Sequence, residues 1–294
     1  MKYDLYHGDC LDVLPTLPEN SVDAVITDLP YGTTACKWDS VIPFEPMWEQ
    51  VCRVVRVNGA VVFFGKQPFT SLLVVSNLDW FKYELVLKKG RAANFLQASV
   101  MPLMYHENIV VFSGGTINHL SAEDRRMRYF PQMEKGTPYT KIERHGGASG
   151  ITESASLESG YVKTNPGTRY PGSILECKSS NADSPHPTAK QVETIAYLIR
   201  TYTLPGDTVL DFTMGSGTTG VACVETERNF VGVEILKDYF VKARHRIEQA
   251  VAANGQRALV TTMLKGSVEE HEVEPAHMQA PLMQLLKEME GEDR

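Results

Sequence analysis

The chain has 294 residues, of which 43% are hydrophobic and 22% charged, and its formal net charge is −7. This composition can bury one large core or two modest ones, and it excludes a mainly disordered chain. The first residues lack the basic-then-apolar pattern of a signal peptide, and the apolar runs are too short to span a membrane. Five widely spaced cysteines, without metal-ligand spacing, are typical of reduced thiols. We therefore expect a cytoplasmic protein without a metal or membrane partner.

Negative charge is concentrated at the C-terminal end of the chain. Residues 265–294 contain eight acids and three bases, whereas residues 81–170 contain twelve Lys or Arg and eight Asp or Glu. A basic middle is compatible with a local phosphate-binding face, although scattered charges are also typical of a solvated surface.

Apolar strands and amphipathic helices alternate in residues 1–113. Strands are predicted at residues 5–7, 22–27, 60–64, 83–87 and 109–112, and a helix at residues 47–57. Asn58-Gly59 is a typical helix stop before the third strand. This alternation predicts a parallel or mixed sheet.

The regularity fails in residues 114–185, which are rich in Gly, Ser, Thr and Pro, with one short helix predicted at residues 121–129. Such a stretch is a functional insertion or a linker. Alternation returns in residues 186–264, with a helix at 189–202, strands at 208–210 and 230–233, a helix opening at Thr218 and another reaching residue 253. The acidic tail, residues 265–294, has one predicted helix at 282–289. The two regular regions together would supply one sheet from which the insertion projects; two separate domains are the alternative.

A glycine loop, Gly215 to Gly220, follows one predicted strand and opens a helix, and Glu234 ends the next strand. This order is typical of adenosine-cofactor sites, in which the acid binds ribose hydroxyls. The loop alone does not distinguish NAD from S-adenosylmethionine. Asp211, just before it, favours the second, because a carboxylate suits an ammonium or a sulfonium-bearing chain better than a pyrophosphate. Asp9, after the first strand, is either an acceptor for an adenine amine or a helix cap.

A second polar loop, Asp28-Leu29-Pro30-Tyr31, follows the strand at residues 22–27. The exocyclic amine of adenine or cytosine is a poor nucleophile, because its lone pair is delocalised into the ring. Hydrogen bonds from that amine to Asp28 and a loop carbonyl would return electron density to nitrogen, while Pro30 stiffens the loop. Tyr31 would stack on the base, an interaction worth about 1–3 kcal/mol. Alone, the loop would be interpreted as a turn cap with a core tyrosine; beside the glycine loop it favours methyl transfer to a nucleobase.

These segments resemble motifs of the DNA amino-methyltransferases. Asp28 to Tyr31 resembles the catalytic Asp-Pro-Pro-Tyr, with Leu29 in place of a proline, and residues 211–219 resemble the cofactor loop Asp-Pro-Phe-x-Gly-Ser-Gly-Thr-Thr. Residues 186–190 resemble the His-Pro-Thr-Gln-Lys-Pro segment of the permuted, beta-type subgroup. Weaker matches are His106-Glu107, residues 169–174 and residues 228–234. The resemblance extends from residue 5 to residue 246, apart from the insertion.

The resemblance implies a Rossmann-like class I methyltransferase, an α/β fold with a mixed seven-stranded sheet, one reversed strand and helices on both faces. Residues 1–113 would form the catalytic half, 114–185 the target-recognition insertion and 186–264 the half that binds S-adenosyl-L-methionine. The implied catalytic residues are Asp28, Leu29, Pro30 and Tyr31. The implied cofactor-binding residues are Asp9, Cys10, Asp28, His186, Thr188, Lys190, Asp211, Phe212, Gly215, Ser216, Gly217, Thr218, Thr219 and Glu234. The predicted DNA-binding residues are Lys88, Lys89, Arg91, Asn94, Arg125, Arg126, Arg128, Lys135, Lys141 and Arg144.

The function expected from these residues is site-specific N6-adenine methylation of double-stranded DNA, by direct displacement on a flipped-out base. Asp at the first motif position is typical of the family's adenine enzymes, and Ser of its cytosine enzymes. N4-cytosine methylation is the nearest alternative, and RNA as substrate stays open. From other classes, a nicotinamide-dependent oxidoreductase or an inactive DNA-binding protein would share some of these features. The sequence allows a homodimer and does not identify a restriction nuclease partner.

Overall fold

The computed structural model describes residues 1–32, 39–92, 94–142, 162–176 and 190–266, with side chains up to residue 255 in the last range and except that of residue 142. The predicted tail helix, Arg144, His186 and Thr188 lie outside the described residues. The chain divides into two units, Met1–Val251 and Ala252–Arg294. The first contains every strand that the structure describes, and in the second residues 252–266 are helical. Among the described helices, none has the length and apolar character needed to cross a membrane.

Twelve strands are described: β1 (Tyr3–His7), β2 (Val22–Thr27), β3 (Val55–Gly65), β4 (Phe81–Lys88), β5 (His106–Phe112), β6 (Glu134–Lys135), β7 (Tyr139–Ile142), β8 (Val162–Asn165), β9 (Thr168–Arg169), β10 (Ile174–Glu176), β11 (Thr208–Asp211) and β12 (Asn229–Glu234). The described α-helices are α1 (Cys10–Val13), α2 (Phe44–Val54), α3 (Phe69–Ser76), α4 (Val192–Tyr202), α5 (Thr218–Glu225) and α6 (Lys237–Gly266).

One sheet joins the two halves of the chain. Its strand order is β1-β12-β11-β2-β3-β5-β4-β10, and among these strands only β5 runs antiparallel to its neighbours. The halves meet where β11 pairs with β2, Val209 opposite Ala24. The predicted mixed sheet with one reversed strand is therefore confirmed. The strand count is not: an eighth strand, β10, pairs in parallel with the otherwise unpaired edge of β4, Ile174 opposite Val86.

Helices cover both faces of this sheet, because successive strand side chains point to opposite sides. On one face Ile26 and Val62 share a core with residues of α4, α5 and α6. On the other face Val25 and Val61 share a core with residues of α1, α2 and α3, including Trp48. The predicted helices on both faces are thus observed.

Two predicted local features are wrong. The helix at 47–57 ends at Val54, and Asn58-Gly59 lies inside β3, where the register against β2 shifts. A Cβ at Gly59 would lie 2.6 Å from the carbonyl oxygen of Asp23, which explains the glycine. The helix at 121–129 is a single 3-10 turn, Glu123–Arg125. Backbone hydrogen bonds to other segments hold residues 121–129 instead. One of them runs from Arg128 N to the carbonyl oxygen of Asn58 at 2.9 Å.

The insertion contains regular structure that the sequence did not predict. Strands β6 and β7 run antiparallel to β9 and β8, with Lys135 opposite Thr168 and Tyr139 opposite Asn165. The register changes by one residue between the two pairs, as at a β-bulge. We call this two-stranded ribbon, residues 134–142 and 162–169, the arm.

The parallel strands end along one edge of the sheet, which we call the carboxyl edge. Residues His7, Thr27, Gly65, Lys88, Asp211 and Glu234 end their strands there. Because β5 is reversed, it begins at the same edge with His106. In open α/β sheets this edge is where ligands bind.

Candidate active site

Asp28 directly follows β2 at the carboxyl edge, and both oxygens of its carboxylate have partners. The Tyr31 hydroxyl donates a hydrogen bond to Oδ1 at 2.5 Å, and Lys190 Nζ lies 2.8 Å from Oδ2. The side chain is 35% exposed, so a ligand can reach it. Leu29, which stands where the family motif has a proline, is buried in the core and anchors the loop. The structure therefore presents an oriented, accessible carboxylate.

Lys190 lies between two carboxylates. Its Nζ is 2.8 Å from Asp28 Oδ2 and 3.0 Å from Glu107 Oε2, and it sits 4.8 Å from the centre of the Phe64 ring. The other oxygen of Glu107 accepts a hydrogen bond from Lys89. These four residues form a continuous ion-pair chain, Lys89–Glu107–Lys190–Asp28. Sequence reasoning included Glu107 in a motif match but assigned it no role.

Burial and neighbouring charges have opposite effects on the pKa values of the two central residues of this ion-pair chain. Burial lowers the pKa of Lys190, but the carboxylates of Asp28 and Glu107 outweigh it and the net pKa is raised. Burial raises the pKa of Glu107, but the ammonium groups of Lys190 and Lys89 outweigh it and the net pKa is lowered. Both shifts favour the charged forms of Lys190 and Glu107.

Two threonines join the Asp28 loop to the glycine loop. The Thr27 hydroxyl donates to Asp211 Oδ1 at 2.6 Å, and the Thr213 hydroxyl donates to the carbonyl oxygen of Asp28 at 3.0 Å. The two hydroxyl oxygens are 2.6 Å apart. This contact exists because β2 and β11 are neighbours in the sheet. The two motifs predicted from sequence thus lie side by side.

Asp211 stabilises the glycine loop through hydrogen bonds. It is buried, its Oδ2 accepts the Thr219 hydroxyl at 2.6 Å, and its Oδ1 also accepts Thr213 N at 3.2 Å. Burial raises the pKa of Asp211 to about 6, against the effect of these hydrogen bonds. The sequence predicted a direct partner for a positively charged ligand, whereas the structure uses both oxygens to fix the loop.

The glycine loop is open on one side and tightly packed on the other. Gly215 has a φ of +52°, and a Cβ there would meet no described atom within 4 Å. Gly217 has a φ of +79° at the start of α5, and a Cβ there would lie 2.9 Å from Ala243. Glu234, at the end of β12, accepts hydrogen bonds from Gly215 N at 2.9 Å and Leu236 N at 2.8 Å. Space above Gly215 beside a strand-end carboxylate fits an adenosine-type cofactor.

Several other predicted cofactor-binding side chains make contacts within the protein. Asp9 caps α1 by accepting Leu11 N at 2.9 Å, and Cys10 and Phe212 are buried in the core. Burial raises the pKa of Cys10 to about 12, with Asp9 adding to the effect. The buried hydroxyls of Thr218 and Thr219 point to Arg246 and Asp211.

Arg246 of α6 is a loop contact that sequence reasoning missed. Its Nη1 donates to the carbonyl oxygen of Ser216 at 2.6 Å and to the Ser216 hydroxyl at 2.9 Å. An arginine on a long helix gives no sequence signal of such a contact, which depends on how α6 packs beside the loop.

The predicted DNA-binding residues fall into separate groups, of which one lies at the carboxyl edge. Lys88 pairs there with Glu176 at 2.8 Å, Lys89 joins the ion-pair chain, and Arg91 is exposed. Asn94 is buried and closes the following loop by bonds to the backbone.

Arg128 lies at the opposite edge of the sheet. It pairs with Asp23 at 2.7 Å and Asp207 at 2.6 Å. Asp23 is near the start of β2, about 16 Å along the strand from Asp28. Arg125 and Arg126 lie beside Arg128 in sequence and share this edge, and Lys135 and Lys141 are exposed on the arm. The structure does not bring the three arginines together with Asp28.

The strand order, the reversed β5 and the glycine loop between β11 and α5 define a Rossmann-like class I methyltransferase fold. A family model described as DNA methylase, of the N6/N4 type, matches residues 22–244, and the chain belongs to this family. Enzymes of this family methylate DNA with S-adenosyl-L-methionine as donor. The predicted class and cofactor are confirmed.

Named relatives cover most of the chain. It is 24% identical over 271 residues to the type II methyltransferase M1.MboII of Moraxella bovis, covering 83% of this chain and 96% of the relative. It is 24% identical over 265 residues to the type II methyltransferase M.HpaI of Haemophilus parainfluenzae, covering 84% and 75%. The crystal structure of an M1.HpyAVI–SAM complex is 22% identical with a TM-score of 0.52, covering 83% and 99%. The cytosine-N4-specific PvuII DNA methyltransferase is 14% identical with a TM-score of 0.57, covering 87% and 92%. At these identities the two solved structures bear on the fold alone.

Proposed function

We propose that this chain methylates the N6 amine of adenine in double-stranded DNA. The observation that carries the proposal is the position of Asp28, an accessible carboxylate at the carboxyl edge, joined to the glycine loop through Thr27 and Thr213. The choice of adenine rests on Asp28 itself, because the resemblance associates Asp at this position with adenine enzymes.

Asp28 would activate the amine by accepting a hydrogen bond from it. An ionised carboxylate and a loop carbonyl would draw the N–H groups into their plane, which leaves the nitrogen lone pair directed at the donor. Lys190 supports this role, since its ammonium lies 2.8 Å from Oδ2 and holds the carboxylate in position. Glu107 holds Lys190 in place from its other side. We therefore assign Lys190 to Asp28 rather than to the cofactor.

Tyr31 would hold the flipped-out base. The hydrogen bond from its hydroxyl to Asp28 fixes the ring, which packs 5.0 Å from the Phe69 ring between centroids. Burial raises the pKa of Tyr31, with Asp28 adding to the effect, so the hydroxyl stays a donor. A base stacked on this ring would have its amine beside the carboxylate. Extrusion from the duplex costs a few kcal/mol, which such stacking partly offsets.

The cofactor would lie above Gly215, where the space is open, with its ribose near Glu234. S-adenosyl-L-methionine supplies an electrophilic methyl group on a sulfonium. The residues that shape the loop are Asp211 and Arg246, from within the protein. Asp9 and Cys10, next to Glu234 at the end of β1, would border the adenine ring. The amine nitrogen would take the methyl group in one displacement and then lose a proton.

Methylation of unmethylated duplex DNA of mixed sequence, followed by digestion and nucleoside mass spectrometry, tests this proposal. We expect N6-methyladenine from the wild type and none from Asp28→Ala, which should still bind S-adenosyl-L-methionine in calorimetry. The matched control is Asp79→Ala, an exposed aspartate before β4, which should leave activity unchanged. N4-methylcytosine as product would overturn the assignment of the base. Full activity of Asp28→Ala would overturn the role of the carboxylate.

A further inference from the structure

The loop between β4 and β5 exposes large apolar side chains at the carboxyl edge. Leu96 is 85% exposed, Val100 81% and Phe95 70%, and Met101 and Leu103 are also exposed. These five residues fall within nine positions, and such a concentration of exposed apolar side chains in a folded protein marks a contact site. We call residues 94–104 the apolar loop.

The apolar loop has a defined shape, so its exposure is not the result of an unstructured chain. The buried side chain of Asn94 donates to the carbonyl oxygen of Pro102 at 3.0 Å and accepts Met104 N at 2.7 Å. These two bonds close the base of the loop. A 3-10 turn follows at Phe95–Gln97, and Met101 N donates to the carbonyl oxygen of Gln97 at 3.1 Å. The closed base presents the apolar side chains to solvent.

The apolar loop is connected to the Asp28 site and is preceded by basic residues. Lys89, which precedes it, is linked to Asp28 through Glu107 and Lys190, each contact being a direct ion pair. Residues 85–105 include Lys88, Lys89 and Arg91 and contain no Asp or Glu. Glu176 and Glu107 pair with the two lysines, and Arg91 is exposed. An exposed apolar loop that follows an exposed arginine fits a partner with anionic phosphates around an apolar base stack.

We propose that the apolar loop is a wedge that enters the base stack of duplex DNA beside the extruded adenine. The inference rests on the proposed function, in which the target base leaves the helix. Extrusion breaks stacking on both sides of the base and leaves a gap. Phe95 and Leu96, which are both well exposed, fill that gap and stack on the neighbouring bases, which stabilises the open duplex.

The test compares a wedge variant with a matched control. Phe95→Ala/Leu96→Ala removes two exposed apolar side chains of the loop, and Leu78→Ala removes a leucine that is 62% exposed just before β4, at the opposite edge. The substrates are a short duplex containing the methylated site, identified by sequencing DNA treated with the wild type, and the same duplex with a mismatch opposite the target adenine. A mismatched base costs less to extrude, so it depends less on the wedge.

We expect the wedge variant to methylate the paired duplex about 10- to 100-fold more slowly than the wild type. On the mismatched duplex it should come within a few-fold of the wild type, and Leu78→Ala should match the wild type on both substrates. Duplex with 2-aminopurine at the target position should fluoresce with the wild type and much less with the wedge variant. Affinity for S-adenosyl-L-methionine should be unchanged, because the cofactor lies over a different loop.

Equal losses on paired and mismatched duplex, or no loss on either, would overturn the wedge. A wild-type dimer that becomes monomeric in the wedge variant would also overturn it, since the apolar loop would then join two copies of the chain. A wild type that leaves no N6-methyladenine in the sequenced DNA would instead overturn the proposed function, so the two failures are distinguishable.

Discussion

Gly215 and Gly217 are two residues apart, and both have a positive φ, yet alanine should affect them differently. A Cβ at Gly215 would point into open space, whereas a Cβ at Gly217 would lie 2.9 Å from the Cα and Cβ of Ala243 and 3.2 Å from its carbonyl oxygen. The first substitution therefore tests the ligand side of the loop, and the second its packing against α6.

The structure allows the two costs in stability to be separated. Alanine in the left-handed region costs about 1–2 kcal/mol at either position. At Gly217 the close contact with the Ala243 backbone adds about 1–3 kcal/mol of overpacking, because a backbone cannot move aside as a side-chain end can. We expect Gly215→Ala to lower the free energy of unfolding by about 1–2 kcal/mol, and Gly217→Ala by about 2–5 kcal/mol.

The assays are urea unfolding without ligand and calorimetric titration with S-adenosyl-L-methionine. Gly215→Ala should fold and bind the cofactor at least about tenfold more weakly, a loss of about 1.4 kcal/mol, because its Cβ occupies space that the cofactor needs. An unchanged Kd for Gly215→Ala would refute the placement of the cofactor above this residue. Equal losses of stability in both variants would refute the packing argument.

Three further predictions follow from the charged groups. Burial raises the pKa of Asp211 to about 6 from an ordinary value of 3.8, so its ionisation at neutral pH costs on the order of 3 kcal/mol of stability. Urea unfolding should show the wild type losing stability relative to Asp211→Asn as the pH rises from 4 to about 6; parallel curves would contradict this. Arg128→Met removes a partner of the buried carboxylate of Asp23 and of the partly buried carboxylate of Asp207, and it should lower the free energy of unfolding by about 2–4 kcal/mol, with no change in cofactor affinity of the folded protein. Lys190→Met should shift the acidic limb of the methylation rate to higher pH, because the pKa of Glu107 rises when the Lys190 ammonium is removed; Lys82→Met, at the start of β4 near the opposite edge, should leave the limb unchanged.

Strands β1 to β5, β11 and β12 and helices α2 and α4 could be predicted because each has a clear hydrophobic pattern, and α5 because it follows the glycine loop. In α3 apolar residues occur nearly all round, at Phe69, Leu72, Leu73, Val74 and Val75, so no amphipathic period marks it as a helix. Strand β10 and the arm have short segments whose strand character depends on pairing with distant residues, and local propensity does not encode that pairing.

The predicted helix at 121–129 failed because tertiary contacts outweigh propensity there. Glu123 to Arg128 is rich in charged residues that suit a helix, but Arg128 is held by Asp23 and Asp207. The same ion pairs explain why a cluster of arginines resembled a DNA-binding surface. Partners 105 and 79 positions away in sequence give no local signal.

The two loops of the site could be predicted because each directly follows a strand, and parallel strands end at one edge. The contacts that orient them could not. Glu107 reaches the edge only because β5 is reversed, which brings the start of that strand beside the ends of the others. Arg246 reaches Ser216 only through the packing of α6. Both depend on topology, which the residues next to them in sequence do not specify.

The permuted order of the motifs is compatible with the site because a sheet requires neighbouring strands, not consecutive ones. Inserting β11 between β12 and β2 brings Thr27 within 2.6 Å of Asp211 across 184 residues of sequence. The same arrangement leaves β4 and β5 on the far side of β3, with the apolar loop and Lys89 extending from the carboxyl edge. The cofactor loop and the apolar loop thus lie on either side of Asp28 along one edge. A base entering between them would meet the carboxylate first. Because the two loops follow different strands, the wedge and the glycine loop can be tested by separate substitutions.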